Sequence, residues 1–171
     1  AEARSLTTLG LIALEVDGPS AAYQYQKDAL ELSKMGKDRY LEVLILDNIA
    51  NAVGLSQGDF HAAYDYFEQA LLIYSEYGNL SGKGHVMVNL GWVASILGDY
   101  PGAMNYYEQA LVISLQIGNR RESMYTYVNL SSTASTQNLV NDALKWAHIA
   151  LDLSVKMEDP IGEAWAYYSL G

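Results

Sequence analysis

Small and apolar residues recur along this chain with a helical beat. Four sets obey one rule, a small residue, a side chain four positions later, then alanine three further on: Ala22, Gln26 and Ala29; Ala63, Phe67 and Ala70; Ala103, Tyr107 and Ala110; Ala143, Ala147 and Ala150. Offsets of four and three put each set on one helical face. A second series lies in the helix before each set and pairs an aliphatic residue with a small one. Its members are Leu9-Gly10, Ile49-Ala50, Leu90-Gly91, Leu130-Ser131 and Leu170-Gly171, spaced 40, 41, 40 and 40 apart. Small residues let the two helices of a hairpin approach closely, and the larger side chain fills the gap that remains. Asp17-Gly18-Pro19, Gly58-Asp59, Gly98-Asp99 and Gln137-Asn138 punctuate each pair, and Gly36, Gly78-Asn79, Gly118-Asn119 and Glu158-Asp159-Pro160 separate one pair from the next. The pattern predicts helices over roughly 3–15, 19–35, 39–55, 60–77, 80–97, 100–117, 120–136, 140–157 and 160–171.

The beat belongs to a longer repeat. The run Gly98-Asp99-Tyr100 through Glu108-Gln109-Ala110-Leu111 echoes Gly58-Asp59-Phe60 through Glu68-Gln69-Ala70-Leu71, forty positions earlier. A fixed period of this size marks a solenoid, whose units cannot bury their apolar faces alone. The expected fold is all-α, a right-handed superhelical solenoid of antiparallel helix pairs with about nine helices. The expected organisation is a single array over 1–171, with units near 1–38, 39–79, 80–119 and 120–159 and the first helix of a further unit at 160–171. Ala63, Phe67, Leu90, Gly91, Ala103, Tyr107 and Ala110 are expected at helix contacts, while the last helix, without a second-helix partner, is expected to leave Trp165 or Tyr167 partly uncovered. Both ends fall inside helical patterns, so the chain reads as a piece of a longer protein.

Charge narrows the partners. The 171 residues carry 20 acids against 10 bases, a formal net charge of −10, and only Arg120-Arg121 places two bases side by side. A nucleic-acid binder needs a basic stripe to displace counterions, so direct DNA or RNA binding and docking on an anionic membrane are excluded as expectations. There is no cysteine, hence no disulfide frame and no thiolate metal site. No run approaches a membrane span, which makes the cytoplasm the expected location.

Asn89-Leu90-Gly91, Gly98-Asp99-Tyr100, Ala103, Tyr107 and Ala110 together resemble a tetratricopeptide repeat, whose unit is usually 34 residues. The resemblance is strongest in the second and third units and weaker in the first and fourth, where Gln26 and Ala147 replace the aromatic. The longer unit, closing on Gly-Asn without the usual proline, is similar to Leu-Gly-Asn-rich scaffold proteins. It is also similar to the C-terminal arrays of bacterial signal-transduction ATPases and maltose-regulator-like transcription factors. The resemblance implies a non-catalytic scaffold domain of a larger cytosolic, bacterial regulatory protein that binds a protein or peptide. The alternative is an array that senses a small inducer and controls an attached ATPase or DNA-binding domain; a passive spacer is a third reading.

In this family the first helix of each pair lines the concave groove. That placement gives a candidate binding surface of Asn48, Asn51, His85, Asn89, Trp92, Tyr125, Asn129, Trp165 and Tyr168, with Val88, Val128 and Ser132 on the same projected faces. Asn48, Asn89 and Asn129 share one unit position, and an amide can bridge a peptide's C=O and N–H. O-GlcNAc transferase and kinesin light chains use such a row, and the likeness implies an extended segment held in the groove with the amides otherwise unpaired. The bland alternative is that these asparagines bridge neighbouring helices. A carboxylate clamp needs lysine and arginine on this face, where only Arg4 stands. His61, His85 and His148 fall on different units without metal-ligand spacing, and no phosphate loop or nucleophile motif occurs. No catalysis, metal or cofactor is expected. Self-association is conceivable through the uncapped last helix.

Overall fold

The computed structural model describes residues 2–16 and 18–170. Among the described residues there are nine α-helices and no strand: α1 (Glu2–Val16), α2 (Pro19–Met35), α3 (Arg39–Ala52), α4 (Phe60–Glu76), α5 (Leu80–Ile96), α6 (Tyr100–Gln116), α7 (Arg120–Thr136), α8 (Val140–Lys156) and α9 (Pro160–Leu170). They gather into two compact units, Ala1–Asn79 and Leu80–Gly171, and the division falls on a predicted repeat boundary.

One short turn is reused between helices. A residue with positive φ is followed by a residue whose side chain caps the next helix. Gly58, Gly98 and Gly118 hold φ of 69°, 85° and 71°. The carboxylates of Asp59 and Asp99 then accept from Ala62 N and Gly102 N, and the amide oxygen of Asn119 accepts from Glu122 N. Each cap satisfies a backbone donor that the first helical turn leaves without a partner. The turn before α3 departs from expectation. Gly36 sits at φ −77°, and Lys37 takes the left-handed conformation at φ 52°. Asp38 still caps, accepting from Leu41 N.

In the first unit α2 packs on α1 and α3, and α4 packs on α3. Ile45, Leu46, Ile49 and Ala50 of α3 and Ala63, Phe67 and Ala70 of α4 are fully buried. In the second unit α5 and α6, α7 and α8 form hairpins, and α9 packs on α7 and α8. Leu90, Ala103, Tyr107 and Ala110 are at most 1% exposed, as their repeat positions require. Gly91 is buried because Tyr107 lies over it; a Cβ there would meet Tyr107 Cε1 at 2.6 Å.

The helix expected over 39–55 ends earlier as α-helix. After Ala52 the backbone widens into a π-helical turn, Val53–Gln57. The cause is one additional residue. Ile49 stands 14 positions before Ala63, whereas Leu9, Leu90 and Leu130 stand 13 before Ala22, Ala103 and Ala143. A π turn absorbs a single insertion without turning the rest of the helix face away from its partner.

Candidate functional site

Within the second unit, α5, α7 and α9 lie side by side, with α6 and α8 packed against them. The face shared by α5 and α7 carries most of the predicted binding residues. Asn89, Trp92, Tyr125 and Asn129 are half-buried and His85 is exposed. On α9, Trp165 is 50% and Tyr168 79% exposed, and their rings meet edge to face at 6.3 Å between centroids. Tyr167 is exposed as well. Val128 departs from its projected place: it is buried with Met124, Ala150 and Ala166. Its side chain meets the α7–α8–α9 core because positions 124 and 128 share one face of α7.

The two asparagines of this unit differ. Asn89 is not unpaired, since its Nδ2 lies 3.3 Å from His85 Nε2, one helical turn earlier. The amide of Asn129 makes no hydrogen bond among the described residues. In the first unit, Asn48 and Asn51 are half-buried on α3. Asn51 Nδ2 donates to the Asp47 carbonyl at 2.8 Å, which ties it to its own helix.

A pocket of about 300 Å³ opens where α5 faces the start of α7. His85, Asn89 and Tyr125 line it, together with Asn119, Arg121 and Glu122, which the groove projection missed. The missed residues carried a sequence signal of another kind. Asn119 followed three positions later by Glu122 is a capping pair. Glu122 N donates to Asn119 Oδ1 at 3.2 Å, and Asn119 Nδ2 approaches Glu122 Oε2 at 3.4 Å. Capping holds the carboxylate at the first turn of α7, facing α5. Its Oε1 is buried and has no hydrogen-bond partner among the described residues. Burial pushes the Glu122 carboxyl above its ordinary range, and the nearby His85 offsets part of that rise. Arg121 points to Asp159 at 3.5 Å. Asp159 is buried and caps α9 by accepting from Gly162 N.

The first unit holds a pocket of a different character. Tyr40, Tyr74 and Tyr77 line about 230 Å³ with Val43, Ile73 and Arg39. Arg39 is pinned by Glu42 at 3.0 Å and Glu76 at 2.8 Å, and those two hydrogen bonds raise its pKa further, Glu76 contributing most. Elsewhere in this unit Tyr66 is pushed up to about 12 by burial and by its hydroxyl contact with Tyr23. Among the described residues no group of three or more His, Asp or Glu could hold a metal. No described helix is long and apolar enough to cross a membrane.

Residues 40–116 match the tetratricopeptide repeat family. No curated protein matches the chain by sequence. Solved structures match its fold. The apo form of RapI is 17% identical with a TM-score of 0.85, over 92% of this chain and 57% of that one. Aspartyl phosphate phosphatase F from Bacillus subtilis is 14% identical with a TM-score of 0.88, over 98% and 44%. A signal transduction ATPase with numerous domains, bearing a tetratricopeptide repeat sensor, from Pyrococcus horikoshii, is 17% identical with a TM-score of 0.84, over 98% and 26%. The chain thus spans about half the length of the first two and a quarter of the third.

Proposed function

We propose that this chain, a tetratricopeptide-type repeat by the match of residues 40–116 and by its fold, serves a larger regulatory protein as a non-catalytic domain that binds an extended peptide segment along α5, α7 and α9. The observation that carries the reading is the placement of Asn89 and Asn129 at one repeat position of adjacent helices, beside the half-buried Trp92 and Tyr125. An extended backbone laid across the two helices meets one amide per helix, and each amide offers donors and an acceptor. Exposed aromatic edges supply apolar contact for the side chains between. Two structural neighbours are in keeping with this. One is a Rap protein complexed with competence and sporulation factor; the other, a Podosopora anserina putative kinesin light chain, agrees in its TPR-like repeats alone. The cytoplasm, and a bacterial parent, belong to the same proposal.

The test uses a peptide selected from a random display library on the intact 171-residue chain. Titration compares wild type with the Asn89→Ala/Asn129→Ala double variant. Each lost hydrogen bond costs about 0.5–1.5 kcal/mol, so the pair should lower affinity by tenfold or more. Helical content should hold, because alanine is the better helix former. Equal affinities would move the binding surface off the asparagine pair.

The inducer-sensing alternative rests on the pocket at His85 and Glu122. Its volume of about 300 Å³ lies at the small end for a small-molecule site. A low-molecular-weight ligand that displaces the selected peptide would favour it.

A further inference from the structure

We infer that the pocket between α5 and the start of α7 takes a cationic side chain, lysine or arginine, with the Glu122 carboxylate as its counter-charge. The inference rests on the peptide-binding reading and assigns the chemistry of one position in the bound segment. Four observations on independent features carry it.

The first is the state of Glu122. One carboxylate oxygen has only the long 3.4 Å contact with Asn119 Nδ2, and the other has no hydrogen-bond partner among the described residues. A half-buried carboxylate left this way lacks the donors that would balance its desolvation. The Asn119 contact is long, so Oε2 can exchange it for a donor entering the pocket while Oε1 stays buried. The raised Glu122 pKa reports the same deficit.

The second is the balance of charge around the pocket. Arg121 also lines it and would favour an anion if its charge were unspent. Its guanidinium stands 3.5 Å from Asp159, a buried carboxylate already fixed as the α9 cap. The pair cancels, and Glu122 remains, with His85 beside it favouring the charged carboxylate. An anionic ligand would sit against that carboxylate, and like charges so close are repelled.

The third is the remainder of the lining. Tyr125 and Val88 give an aliphatic stem an apolar wall, and the amides of Asn89 and Asn119 make the rest of the lining polar. The fourth is the field of the chain. A net charge of −10 draws cations and repels anions.

The experiment is a nitrogen–proton NMR titration of the whole chain with three probes, the N-acetyl methylamides of arginine, citrulline and aspartate. Citrulline keeps the shape and donors of arginine and lacks its charge. We expect saturable shifts confined to residues 84–89 and 119–125 with the arginine probe, and roughly tenfold weaker binding of the citrulline probe. In Glu122→Gln the arginine probe should fall to the citrulline level. Glutamine serves the same capping role, so an unchanged spectrum elsewhere separates lost charge from lost structure. Equal binding of arginine and citrulline, a preference for aspartate, or no saturable shift with any probe overturns the inference. The peptide reading has its own readout. If the display-selected peptide still depends on Asn89 and Asn129 while the probes show no preference for charge, the binding face stands and the cationic pocket falls.

Discussion

The hairpin of α5 and α6 and the hairpin of α1 and α2 are built on one rule and finished differently. In the former, Tyr107 is buried over Gly91, its ring filling the space that the missing side chain leaves. Burial raises the Tyr107 pKa strongly, and the Ser95 and Thr133 hydroxyls beside it offset part of that rise. In the latter, Gln26 takes the place of the aromatic over Gly10. Its Nε2 reaches the Thr7 carbonyl at 3.4 Å, and its Oε1 is buried with no partner among the described residues. One site is therefore a packed ring with a served hydroxyl, and the other a long polar chain half served. The other two hairpins sit between these cases. Phe67 is buried with Ala50, and Ala147 is buried with Ser131, whose hydroxyl donates to the Ala143 carbonyl at 2.8 Å. The repeat specifies that a gap be closed; it leaves open whether a ring, an amide or a hydrogen bond closes it.

The largest effect that can break this comparison is truncation of the two central side chains. Tyr107→Ala should cost about 3–5 kcal/mol by opening a cavity under α5. Gln26→Ala should cost much less, because it also removes a buried oxygen that has no donor. Urea unfolding of both variants measures the gap, and equal costs would mean that Gln26 packs as well as the ring does.

A smaller effect comes from the opposite side of the contact. Gly91→Leu pushes into the Tyr107 ring and should cost on the order of 1–3 kcal/mol or more. At Gly10 an alanine Cβ would meet the Gln26 amide nitrogen at 2.9 Å, the far end of a flexible chain. The displaced amide is offset by the roughly 1 kcal/mol that alanine gains over glycine in a helix, so Gly10→Ala should leave the melting temperature nearly unchanged. A large drop for Gly10→Ala would show that the first hairpin is as tightly built as the third.

The smallest effect concerns the π turn. Deleting the exposed Gln57 returns the second repeat to the 40-residue length of the others. The turn should relax to α-helix with the fold kept. Circular dichroism should change little, and amide exchange over 49–57 should slow. Faster exchange there would mean that the wide turn is required by its surroundings and is not simply a stored insertion.

Much of the architecture was legible before any coordinate. The predicted helices fall within a few residues of those observed, because helix length and end are local matters. Alanine spacing sets the face, and Gly-Asp or Gly-Asn sets the stop and the cap. The 41-residue spacing from Ile49 to Leu90 announced an insertion, yet it could not say that a π turn would hold it. The left-handed residue at Lys37 was hidden because Gly36 stood beside it as the more obvious candidate.

The candidate site was legible only in part. Projection of a helical face found His85, Asn89 and Tyr125, since a face follows from period alone. It placed Val128 on the open side, and packing of α8 and α9 against α7 buried it instead. It had no means of finding Glu122 and Asn119, whose spacing reports a cap. Their part in the pocket depends on where α5 stands beside α7, and the distance between two helices is set by the side chains that separate them. The sequence by itself determined the helices, their order, the hairpin contacts and the acidic field. Tertiary structure alone decided which oxygen of Glu122 lost its partners and that Arg121 is met by Asp159. Periodicity is a property of one helix, whereas the pairing of polar groups is a property of what surrounds them.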